Sequence, residues 1–166
     1  QRGEHERRIE QIVADFMAGY GSLLSPETLL RLRAALSGLD GVPAVCEHGD
    51  FSPWNVLVDA NGQDLAVLDW EAATLAGLPG IDPIYFLTYL GFFDAGVSVH
   101  GVIDVDQLVR AYRGQRDPGT VAGSVIAECL AHYVRSLHLP ASALHPLRLV
   151  TWLTQAVAEY RLWASE

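Results

Sequence analysis

The sequence predicts an α+β fold, mostly α-helical, with one small β-hairpin carrying its chemistry. Three observations predict it. Apolar residues recur at helical spacing in long segments on both sides of the chain's middle. Asn61-Gly62 sits between two β-favouring runs, Val56 to Asp59 and Leu65 to Asp69. The chain has 166 residues, half of them apolar, enough for one domain with a buried core. No internal repeat or low-complexity tract interrupts the pattern, so residues 1–166 read as a single helical lobe.

The first helix is expected from about Glu4 to Met17, with Ile9, Ile12, Val13 and Phe16 on one face. Gly19-Tyr20-Gly21-Ser22 lacks the third glycine of a phosphate loop and reads as that helix's end. Ser25-Pro26 starts the second helix, because a serine side chain satisfies a free N–H of the first turn and proline's fixed φ suits it. That helix runs to about Ser37 and is ended by Leu39-Asp40-Gly41; Val42 to Cys46 is then a short strand. If Asn61 and Gly62 are the two turn residues of the hairpin, Ala60 faces Gln63 and Asn55 stands opposite Leu68, next to Asp69. A loop of another length would shift that register by about one residue. Ala72 to Gly80, rich in Gly and small residues, reads as loop. Asp82-Pro83 opens a buried helix reaching Tyr89 or Phe93, and Gly91 to Gly101 reads as loop. A helix follows from about Val105 to Gly114. Thr120 caps another, to about His138, with Val125, Ile126, Cys129, Leu130 and Tyr133 as its apolar set. Pro140 stops it, and the last helix spans about Leu144 to Ala164.

The chemistry concentrates in Cys46 to Glu71, CEHGDFSPWNVLVDANGQDLAVLDWE. His48-Gly49-Asp50, four further residues and Asn55 have the spacing of a kinase catalytic loop, in which the aspartate accepts a hydroxyl proton and the asparagine holds magnesium. An alcohol is too weak an acid to lose its proton early, so a carboxylate must accept it as the new bond to phosphorus forms. Asp50 is the candidate base. Magnesium takes hard oxygen ligands, and Asn55 and Asp69 supply an amide oxygen and a carboxylate. His-Gly-Asp alone commonly marks a strand end; its combination with Asn55 and with Asp69-Trp70-Glu71 after a hairpin points to phosphoryl transfer. Asp59, Asn61 and Asp64 read as turn residues, and Trp54 and Trp70 as packing residues.

HGDFSPWN followed by LDWE resembles the aminoglycoside phosphotransferase family, which includes choline- and homoserine-type kinases and has a protein-kinase-like fold. The likeness runs from about Val45 to Leu90. It implies a carboxy-terminal kinase-like lobe in which Asp50 is the base, Asn55 and Asp69 hold Mg2+ with ATP or GTP as donor, and His48 braces the loop. Trp70 and Glu71 complete the metal-loop signature. The family often continues with Gly-Asp-Pro and then a second aspartate that steadies the catalytic loop. Here Ile81-Asp82-Pro83-Ile84-Tyr85-Phe86 keeps Asp82 and has Phe86 where the second aspartate is expected.

Composition narrows the rest. All eleven basic residues are arginine, so the lysine that grips nucleotide phosphates in such enzymes is absent, and the chain reads as a lobe whose amino-terminal partner lies outside these residues. Alone it is expected to be nearly inactive. A net charge of −9 argues against nucleic acid and anionic membrane surfaces and suits a cationic small-molecule hydroxyl acceptor. Cys46 and Cys129, in apolar runs, are expected as buried free thiols of a reducing, cytoplasmic compartment. The longest apolar run, Ile84 to Phe93, is too short to span a bilayer. A non-catalytic kinase-like binding module and, more remotely, a metallophosphoesterase are the competing readings. The second lacks the Asp-x-His and Gly-Asn-His ligands of a two-metal centre.

Overall fold

The computed structural model describes residues 2–39, 41–98 and 104–164. They are mostly helical, with two small two-stranded sheets: α1 (Arg2–Tyr20), α2 (Pro26–Leu36), β1 (Val45–Glu47), β2 (Val56–Val58), β3 (Leu65–Val67), β4 (Thr74–Gly77), α3 (Ile81–Asp94), α4 (Val105–Gly114), α5 (Val121–Ser136) and α6 (Leu144–Ala164). Contacts divide the chain into two compact units. One holds the residues up to Glu47, Leu75–Ile81 and the chain from Leu139 on; the other holds His48–Thr74 and Asp82–His138.

In the first unit α1 and α2 both pack on α6. Leu36, Leu147, Val150, Leu153 and Val157 are buried there, each of these side chains contributing about 1.5–3 kcal/mol by leaving water. Gly19 lets α1 come close to α6, where a Cβ on it would stand 3.0 Å from the Tyr160 ring. Tyr20 Oη donates to the Ala156 carbonyl (3.1 Å), and Arg161 pairs with Asp15 (2.6 Å). The α2 start is the one its sequence signals: Ser25 Oγ accepts the Thr28 N–H (3.1 Å) and Pro26 is the first helical residue. β1 pairs with β4, a strand inside the stretch expected to be loop. Asp40, part of the expected stop of α2, lies outside the described residues, and Gly41 turns the chain with φ 80°.

In the second unit β2 and β3 form an antiparallel hairpin with Val56 opposite Val67 and Val58 opposite Leu65. This is the expected register, but the turn is wider. Asp59 and Asp64 close it through a backbone bond (3.0 Å), and only Gly62 (φ 68°) of the Asn61-Gly62 pair adopts positive φ. The Asp59 side chain takes over the work of a two-residue turn by accepting the N–H groups of Gln63 (2.7 Å) and Asp64 (3.1 Å).

α3 runs through Gly91 to Asp94, past the expected stop; the remainder of the expected loop is irregular to Ser98, and its residues 99–101 lie outside the described ones. Gly91 is a packing glycine, not a breaker. A Cβ there would fall 2.4 Å from Gln115 Cδ, and the buried Gln115 donates to the Thr88 carbonyl (3.0 Å). Thr120 caps α5 by accepting the Gly123 N–H (3.0 Å). The face α5 buries is Ile126, Leu130 and Val134, whereas Val125 and Cys129 are exposed. Cys46 is exposed as well, so the expectation of buried thiols fails at both positions. On β1 the reason is strand alternation: Cys46 faces out because its neighbour Glu47 faces in. Among the described residues no helix is long and apolar enough to cross a membrane.

Candidate active site

The site is built on the loop between β1 and β2. Gly49 has φ 85°, a conformation that favours glycine, and a Cβ on it would stand 2.8 Å from the Ala72 carbonyl oxygen. Position 49 therefore admits no side chain without displacement of the Ala72 backbone, and it bends the chain so that Asp50 follows His48 around a tight corner. Ser52 N–H donates to the Asp50 carbonyl (2.9 Å) and Asn55 N–H to the Ser52 carbonyl (3.0 Å), closing the turn into the one-turn helix Pro53–Asn55.

Asn55 is the hub. Its Nδ2 donates to the Asp50 backbone carbonyl (2.9 Å) and to the Asp50 carboxylate at Oδ2 (3.1 Å), and among the described residues its side-chain oxygen Oδ1 accepts no hydrogen bond. The imidazole of His48 is 3 % exposed and ties the loop to the hairpin. Nε2–H donates to the Leu68 carbonyl (2.7 Å), and Nδ1 accepts the Asp50 N–H (3.3 Å), which fixes one neutral tautomer. Leu68 N–H in turn donates to the Asn55 backbone carbonyl (2.9 Å), carrying the hairpin register up to the residue before Asp69.

Asp82, at the start of α3, accepts the N–H of His48 (2.6 Å) and of Gly49 (3.1 Å) on its two carboxylate oxygens. The loop brace sought at position 86 is thus provided at position 82. Phe86 packs at a tilt against Phe51, ring centroids 4.9 Å apart, and supports the same loop. Trp70 lies against the His48 ring (4.7 Å) and donates Nε1–H to the Val67 carbonyl (2.9 Å). Trp54 packs on Tyr89 (5.3 Å) and Phe93 (6.5 Å), although both tryptophans remain about half exposed, at 45 % and 53 %.

Of the residues picked from sequence, His48, Asp50, Asn55, Trp70 and Asp82 are joined by direct contacts. Asp69 is exposed and connected to them through its neighbours Leu68 and Trp70; its φ of 61° is unusual for a residue with a side chain. Glu71 is exposed and takes no part in this network. Sequence reasoning missed the Leu68 carbonyl, for which a backbone atom gives no signal, and the full role of Asp82, whose signal was its place just before Pro83.

Among the described residues no group of three or more His, Cys, Asp or Glu is placed to hold a metal ion. The donors at hand are of another kind: one amide oxygen, left free because the Asn55 nitrogen is spent on Asp50, and one exposed carboxylate on Asp69. Oxygens of these two types are ones that a hard cation such as magnesium takes, alongside waters and phosphate.

No curated protein and no solved structure matches the chain. Residues 3–123, well over half of it, match the family described as "Phosphotransferase enzyme family" (APH), and the chain belongs to that family.

Proposed function

We propose that this chain is the catalytic lobe of a small-molecule kinase, transferring the γ-phosphoryl group of ATP or GTP to a hydroxyl of a small, amine-bearing acceptor. The observation that carries the reading is the two-fold bond from Asn55 Nδ2 to Asp50. It holds the candidate base and a candidate metal ligand in one rigid unit.

In this reading Asp50 accepts the acceptor's hydroxyl proton as the oxygen–phosphorus bond forms and the nucleoside diphosphate leaves. The Asn55 bond leaves one Asp50 oxygen for that proton and sets its direction. His48 and Asp82 keep the loop from yielding when the proton arrives. Asn55 Oδ1 and the Asp69 carboxylate would hold magnesium, which when bound neutralises charge on the phosphates. The grip on the nucleotide is assigned to an amino-terminal lobe outside these residues, since no lysine occurs in the chain. The acceptor's positive charge is inferred from the net charge of −9, and a cytoplasmic setting from the need for ATP or GTP.

The test joins this lobe to its native upstream sequence and measures nucleotide turnover over a library of hydroxyl compounds. Asp50→Asn is expected to lower turnover by roughly 10²- to 10⁴-fold, the usual contribution of a general base. Equal turnover of Asp50→Asn and the parent would remove the assignment.

A further inference from the structure

Glu47 is a charge where a half-buried strand ordinarily places a hydrophobe. It is 4 % exposed, and a carboxylate taken out of water is costly unless both oxygens are satisfied. Both are. Oε1 accepts from Arg8 Nη2 (2.5 Å) and Oε2 from the N–H of Leu78 (2.9 Å), a residue 1 % exposed whose donor β4 leaves open as it ends. Arg8 also donates through Nη1 to the Ala76 carbonyl (3.3 Å). Gly77 makes the approach possible: a Cβ on it would stand 2.2 Å from Glu47 Cβ and 2.7 Å from Oε2. One carboxylate therefore links α1, β1 and the end of β4, all within one compact unit.

The chain that leaves this link at Glu47 and returns to it at Leu75 carries His48, Asp50, Asn55 and Asp69. The Glu47 carboxylate is buried while the Arg8 side chain is 29 % exposed, and a pair of this kind adds little net stability over a well-packed apolar one, which points to a role in geometry. We propose that Glu47 is a positioning residue for phosphoryl transfer. The Arg8–Glu47–Leu78 link fixes the spacing of the two chain ends, Glu47 and Leu75, from which the catalytic segment is strung. The assignment rests on Asp50 being the base. It gives α1 a role that its amphipathic pattern alone does not show.

The test is amide hydrogen exchange, read by NMR on the chain itself, which needs no turnover. In Glu47→Gln the amides of His48 and Gly49 are expected to exchange about tenfold faster, the loss of one charge-assisted bond, and by a clearly larger factor than the Val150 amide in α6, which reports general loosening. Arg8→Met and Gly77→Ala should do the same by removing the cation or pushing the carboxylate away, and Arg8→Lys should recover most of the protection. A merely structural pair would raise all of these rates by one common factor, and that result, or no change at His48 and Gly49, overturns the proposal. In the protein joined to its upstream sequence, measured well below its melting temperature, Glu47→Gln should lower kcat about tenfold at unchanged KM for the acceptor. Unchanged kcat with accelerated exchange would also overturn it. The Asp50→Asn control separately decides whether the base assignment beneath it holds.

Discussion

Replacement of Asp82 by asparagine is the sharpest probe of the loop. Its carboxylate accepts the N–H of His48 at 2.6 Å and of Gly49 at 3.1 Å. Hydrogen bonds to a charged group contribute roughly 1.5–3 kcal/mol each. An asparagine keeps one acceptor oxygen, so one bond survives in weaker, neutral form. The other becomes an encounter of two donors, with an amide NH2 facing a backbone N–H. The expected loss is about 2–4 kcal/mol, well inside the 5–15 kcal/mol that holds a typical domain together, so the variant remains folded. Urea denaturation gives this difference directly, and the midpoint should fall at unchanged slope. A displacement of Asp50 on the order of 1 Å costs roughly 10²-fold in rate, so turnover of the joined protein should fall by about that factor. A stability change under about 0.5 kcal/mol would refute the view that Asp82 braces this loop.

Further outcomes follow from individual contacts. Gly49→Ala places a methyl 2.8 Å from the Ala72 carbonyl at φ 85°, and should cost about 1–3 kcal/mol in the same denaturation assay, with turnover reduced. Ser52 is fully buried and its hydroxyl has no hydrogen-bond partner among the described residues, so Ser52→Ala should leave stability unchanged or raise it by about 1 kcal/mol; a measured loss of stability would reveal a partner for Oγ. Thr120→Ala should destabilise by about 1 kcal/mol through loss of the α5 cap, with Thr120→Ser close to the parent in melting temperature. The N–H groups of Asp64 and then Gln63 hold the Asp59 carboxyl below its ordinary 3.8. A depressed folded value means that the turn's support is present above the unfolded value and is lost as pH falls through the folded one. NMR titration of the Gln63 and Asp64 amides should therefore show a midpoint below 3.8, and Asp59→Asn should abolish it.

Local signals carried most of the helical framework. Ser25-Pro26 and Thr120 work as helix starts because their side chains meet nearby N–H groups, and α6 spans Leu144–Ala164 as its periodicity predicts. The hairpin register was legible too, since a wider turn closed by Asp59 preserves the pairing that Asn61-Gly62 suggests. What depends on distant partners was not legible. β4 exists because β1 pairs with it and Glu47 takes up the Leu78 N–H, neither of which appears in the composition of Ala72 to Gly80. Gly91 resembles a breaker until Gln115 is seen against it. The inward residue of β1 is its charged one, an inversion that polarity patterns read wrongly and that put Cys46 on the wrong side. At the site, the residue types and the spacing from His48 to Asn55 located the loop. Its bracing at position 82 instead of 86 appeared only once the start of α3 could be seen beneath it.

The β2–β3 hairpin has a practical consequence. Leu57, Val58 and Leu65 are 53 %, 58 % and 69 % exposed, and among the described residues no third strand lies along either edge. Such a ribbon invites the strand of a neighbouring molecule. Mutual repulsion between molecules of net charge −9 is the long-range force opposing that encounter, and physiological salt cuts its reach to about 8 Å. Preparations should therefore stay dispersed longest when dilute and low in salt, and should cluster as ionic strength is raised.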